Sequence, residues 1–128
     1  MALIKIIYNQ KEAEQVNDIA KAIKFICSAG LNCPEVFTTP SQIETVKIAG
    51  IDLIGINYIL EIVACERPNL QKISDNIING LNAVYPDKLF SVYFNIINEQ
   101  GMSSTPRERP SDKSISMDEA IQLSKNNI

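Results

Sequence analysis

Histidine is absent from the chain, and no other gap excludes as much. Without an imidazole there is no Ser-His-Asp or Cys-His pair, no HExxH zinc helix and no histidine-containing zinc finger. Proton transfer near neutral pH then falls to a shifted carboxyl, Lys, Cys or Tyr, or to the chain's own α-amino group. Only the last, with a reference pKa of about 7.7 to 8.0, titrates there unaided. Cysteine is scarce: Cys27, Cys33 and Cys65 are odd in number and show no CxxC spacing, which argues against a disulfide scaffold. Two of them lie in apolar segments, as buried thiols usually do. Basic residues are outnumbered, 12 Lys and Arg against 15 Asp and Glu, so no surface built to neutralise phosphates and no nucleic-acid partner is expected. No apolar run approaches the roughly 18 residues of a membrane span. Met1 leads directly into alternating apolar residues, without the basic region, apolar block and cleavage site of a leader. These features predict no membrane partner and a cytoplasmic location. Gly50 and Gly55 are followed by neither Lys-Ser/Thr nor a GxGxxG pattern, so no nucleotide cofactor is expected, and no metal.

What is present suits one domain: 128 residues, 45% hydrophobic and 21% charged, enough to bury a single core. Residues 2–8 alternate as a largely buried strand. Asn9 is a plausible cap for a helix in which Val16, Ile19, Ala20, Ile23, Ile26 and Cys27 recur at three and four residues, with Gly30 just past its end. Glu12, Glu14, Gln15, Asp18 and Lys21 would face water. Residues 36–39 and 43–48 are short strand candidates broken by Pro34, Pro40 and Gly50. Residues 58–65 are apolar on both faces apart from Glu61, as in a strand covered on two sides. Pro68 suits a first helical position before Leu70, Ile73, Ile77, Leu81 and Val84, and Phe90 to Ile96 then alternate with period two.

The order predicts an α+β fold: two consecutive β-α-β units forming a four-stranded mixed sheet with two helices on one face. Residues 1–100 make up this domain, and residues 101–128 a flexible arm with a short C-terminal helix signalled by the capping-box spacing of Ser116 and Glu119. That helix is expected to dock on a neighbouring subunit, because about ten residues are not stable alone. One sheet face that two helices cannot cover predicts a closed homo-oligomer.

Two β-α-β halves in a chain of this size, with a strand that begins at residue 2, resemble the tautomerase superfamily that includes macrophage migration inhibitory factor. The stretch Ile59-Leu60-Glu61-Ile62-Val63-Ala64-Cys65-Glu66-Arg67, followed by a polar helix start, looks like the third-strand motif of a small bacterial branch of that superfamily with no assigned function. The resemblance covers about residues 2 to 100. It implies a homotrimer and a keto-enol isomerase of small carboxylates that needs no cofactor, whose base is an N-terminal proline freed by loss of Met1. Here Ala2 stands in that place. A primary amine at Ala2 keeps a titratable group without the rigid ring and serves as a base only if its pocket lowers its pKa; otherwise Ala2 is merely a strand start.

Arg67 matches the family-like motif and would suit a carboxylate fork, or else a surface ion pair with Glu66 or Asp75. Tyr93 could offer a phenol to an enolate, or could simply pack. Glu61 is a paired buried carboxylate, an interface hydrogen-bond acceptor or a catalytic acid. The reading from a different class is a non-catalytic oligomeric ligand-binding or interaction module with the same or a ferredoxin-like topology.

Overall fold

Ala2, Ile4 and Ile6 are buried while Leu3 and Lys5 between them are exposed, so the first strand, β1 (Ala2–Tyr8), has one face in the core and one outside. The computed structural model describes residues 2–32, 36–42, 55–98, 103 and 115–126, with 36–42 described as backbone. The strand candidate at 43–48, Cys33, Arg107 and Arg109 lie outside the described residues.

After β1, the Asn9 side chain accepts a hydrogen bond from the Lys11 amide and caps a short 3₁₀ turn, Gln10–Glu12, before α1 (Val16–Leu31) begins. The backbone of β2 (Val36–Gln42) runs parallel to β1. Next come β3 (Tyr58–Cys65), α2 (Leu70–Val84), β4 (Phe90–Ile97) and α3 (Met117–Asn126). The strands β1, β3 and β4 form a mixed sheet in which β1 pairs antiparallel with β3 and β3 pairs parallel with β4; with β2 beside β1 the order is β2-β1-β3-β4. The class is α+β, as expected. Each parallel pair is adjacent in the sheet, which is not the split β-α-β arrangement of ferredoxin-like domains.

The first two helices share one face of the sheet: α1 packs over β1 and β2, α2 over β4, and each packs on the other. Beneath them Ile4, Ile6, Leu60, Ile62, Ile77 and Leu81 have no solvent exposure, each contributing about 1.5 to 3 kcal/mol. Along β3 burial alternates strictly: Tyr58, Leu60, Ile62 and Ala64 are sealed, while Ile59, Glu61, Val63 and Cys65 on the other face are half-buried.

Several local expectations change. Helix α1 runs through Gly30 to Leu31 and ends on Asn32 in the left-handed region, φ 51°. Gly30 stays inside the helix because α2 crosses it closely: a Cβ there would stand 2.6 Å from Ile77 Cγ1. Pro68 precedes the helix without entering it, and α2 begins at Leu70 after Asn69, also left-handed at φ 61°. Glu12 does not face water; its residue is 5% exposed, for reasons given below.

The C-terminal helix forms where Ser116 and Glu119 predict it, with Ser116 Oγ accepting from the Glu119 amide at 3.2 Å. It packs on α1 and α2 of its own chain instead of on a neighbour. Ala120 is sealed in the seam, Ser124 is buried with its hydroxyl donated to the Ala120 carbonyl at 2.7 Å, and Met117 lies over Gly80, where a Cβ would be 2.8 Å from its sulfur. A third helix therefore joins the expected two. Small residues on the α1–α2 surface let it approach closely enough to bury its stripe, which is where a short helix finds its stability.

Candidate functional site

The two ends of the sheet carry different chemistry. At the end where β1 begins and β3 and β4 finish, Ala2 stands opposite Ala64, which is level with Ile96. Just beyond, Cys65, Glu66, Ile96, Ile97 and Asn98 line a depression of about 470 Å³. In open sheets with parallel strands, the carboxyl ends of the strands are where ligands commonly sit. Ala2 itself is 1% exposed.

Arg67 follows β3 at this same end. Its Nη1 donates to the Leu31 carbonyl at 2.9 Å, so a cation sits on the last turn of α1, the negative end of the helix dipole. Its buried Nε has no hydrogen-bond partner among the described residues. The expected ion pair with Glu66 or Asp75 does not form among the described residues; Asp75 accepts from Gln71 Nε2 at 2.9 Å. A guanidinium within reach of bare helix carbonyls gains more there than from a solvated carboxylate.

Tyr93 lies on the open face of the sheet, 44% exposed, and donates its hydroxyl to Glu61 Oε1 at 3.1 Å. Burial, then the hydrogen bond and charge of Glu61, raise its phenol above the ordinary value. Its register neighbour is Glu61, itself level with Lys5. That is three residues along β1 from Ala2, about 10 Å, and on the opposite face. The structure thus brings Ala2 and Arg67 to one sheet end and keeps Tyr93 apart. Glu61 is half-buried and accepts from Tyr93 of its own chain, in place of the buried pairing that its position in an apolar strand suggests.

The other end holds a group that sequence reasoning missed. Glu12, from the 3₁₀ turn, receives Lys88 Nζ at 3.0 and 2.9 Å on its two oxygens, Asn57 Nδ2 at 2.8 Å and the Tyr58 hydroxyl at 2.8 Å. Burial alone would raise this carboxyl, but the hydrogen bonds from Lys88, Tyr58 and Asn57, with the Lys88 charge, hold it below its ordinary value. Tyr58 is driven up, by burial first and then by Glu12. Asn57 in turn accepts from the Leu89 amide at 2.8 Å, so the cluster ties the 3₁₀ turn to the starts of β3 and β4. A carboxylate offers about four acceptor sites, and all are taken; the cluster is a clasp with no capacity left for substrate. The local pattern around Glu12 reads as exposed because its partners are 45 to 76 residues away.

The remaining groups are quiet. Burial pushes the Cys27 thiol up to about 12, which removes it as a nucleophile. Among the described residues no cluster of three His, Cys, Asp or Glu could hold a metal ion, and no helix is long and apolar enough to cross a membrane. No protein-family model matches the chain, and no curated protein does.

Proposed function

We propose that the chain is a tautomerase-like subunit of a cytoplasmic homotrimer, built on a four-stranded mixed sheet, that takes a small carboxylate at the sheet end beside Ala2. With Met1 removed, the amine of residue 2 moves a proton between adjacent carbons of a keto-enol substrate, a step that asks for no metal or cofactor. One observation carries this reading: residue 2 and Arg67 belong to the same end of the sheet as a depression of about 470 Å³ lined by Cys65, Glu66, Ile96, Ile97 and Asn98. The two unsplit β-α-β units joined through β1 and β3 support the frame. The open sheet face supports assembly, since Leu3, Ile7, Ile59, Val63 and Ile97 leave it half apolar, and its single Lys5 and Glu61 leave it neutral.

A rate assay on keto-enol carboxylates tests it. Ala2→Pro raises turnover, an uncleaved N-terminal extension abolishes it, and activity climbs with pH as the amine loses its proton, because the neutral form is the base. Equal rates in native and extended protein sink the mechanism.

A second reading, the non-catalytic oligomeric interaction module, is favoured by the position of Tyr93 on the opposite face and by the engagement of Arg67 with the Leu31 carbonyl. It predicts no turnover by native protein or Ala2→Pro, with the oligomer intact.

A further inference from the structure

Among the described residues nothing lies beyond β4, the outermost strand on one side of the sheet, and its 8 residues, Phe-Ser-Val-Tyr-Phe-Asn-Ile-Ile, include no charge, proline or glycine. Edge strands expose a row of unpaired amides and carbonyls, which proteins normally blunt with lysine, proline or a bulge. The opposite edge, β2, contains Pro40; β4 has no such device. Tyr93 is 44%, Ile96 38% and Leu89, just before the strand, 59% exposed.

The helix above this edge continues the pattern. Asn76 and Gly80 border α3, and Ile78 lies about 160° around the helix from both. This isoleucine is half-buried and stands outside the central cluster. Ser74, one turn earlier on the same flank, adds no charge there. As α2 packs on α1 and α3 as well as on β4, a flank turned away from α3 is the one left for a partner beside the β4 edge.

We infer that β4 is the edge through which two copies of this chain pair, antiparallel about a two-fold axis, to extend one sheet across both subunits. The strand is its own complement. A register that keeps each row on its own face sets Tyr93 against its counterpart, Val92 against Phe94, Phe90 against Ile96 and Ser91 against Asn95. Apolar and aromatic side chains then meet as cross-strand pairs. No like charges oppose each other, and the Ile78 flanks of the two helices face one another above the joint. A second copy fits both rows and that flank together, whereas an extended peptide would match only the strand. The same register sets Leu89 of the second copy beside Ile97, at the outer wall of the depression described above. The pairing depends neither on what that depression binds nor on whether the open sheet face assembles, because the edge is a separate surface.

Sedimentation of the full chain across a concentration series tests this. Native protein shows a reversible doubling of mass, from monomer to dimer or, where the open sheet face forms the trimer, from trimer to hexamer; a trimer that does not double overturns the pairing. Ser91→Lys with Asn95→Lys, both at exposed positions, opposes lysines twice across the joint and weakens association about a hundredfold, with the circular dichroism unchanged. Ser91→Glu with Asn95→Glu does the same, and mixing the two variants restores a heterodimer. A native monomer at about 10 μM, or a double-lysine variant that associates like native, overturns the pairing. Loss of association on Leu3→Lys but not on the edge variants assigns the contact to the open sheet face instead, and overturns it equally.

Discussion

The two ends of the sheet differ in how their polar groups are used. At the Glu12 end a buried carboxylate is met by four hydrogen bonds from three side chains drawn from two other segments. At the Ala2 end a depression lies open, and the nearby Arg67 is committed to one helix carbonyl, with its Nε unpartnered among the described residues. A saturated buried charge reports stability, whereas an exposed carboxylate such as Glu66 lining a depression leaves room for a ligand. The contrast locates candidate chemistry by the hydrogen-bond capacity that remains, and not by charge alone.

The largest expected effect comes from cutting the closed end. Lys88→Ala leaves Glu12 buried without its cation and costs about 3 kcal/mol of unfolding free energy, read as a lowered urea midpoint at neutral pH. A loss below about 0.5 kcal/mol would erase the distinction between the ends.

Acid sharpens the same comparison. The folded Glu12 carboxyl titrates below its ordinary value of 4.5, so its stabilising contribution is present above that pH and is lost as pH falls through the folded pKa. The gap between native protein and Lys88→Ala therefore narrows in that window, because protonated Glu12 no longer needs a cation. Urea midpoints measured from neutral pH downward would show it; a gap constant with pH would detach Lys88 from Glu12.

The smallest effect belongs to the open end. Glu66→Gln, at an exposed residue lining the depression, changes stability by no more than about 0.5 kcal/mol. A change in carboxylate binding with stability unmoved would strengthen the assignment of a ligand to that end; a large stability loss would show that both ends are structural.

Much of the architecture is legible in the order of residues because it rests on local periodicity. The alternation of residues 2–8 and 58–65, the helical spacing from Leu70 to Val84 and the pairing of Ser116 with Glu119 each depend on neighbours within a turn or a pleat, and the elements fall there. Tertiary structure alone decided which surfaces those elements share. Gly30 reads as a helix end, yet lies inside a helix because Ile77 approaches it; Glu12 reads as solvated, yet is buried because Lys88 and Tyr58 reach it from distant segments. Ala2 and Arg67 share a sheet end only because β1 and β3 pair antiparallel in one register, and that same register carries Tyr93 to the other face. Periodicity records which side of an element is apolar; which partner covers it depends on chain closure over tens of residues, and no local pattern encodes that.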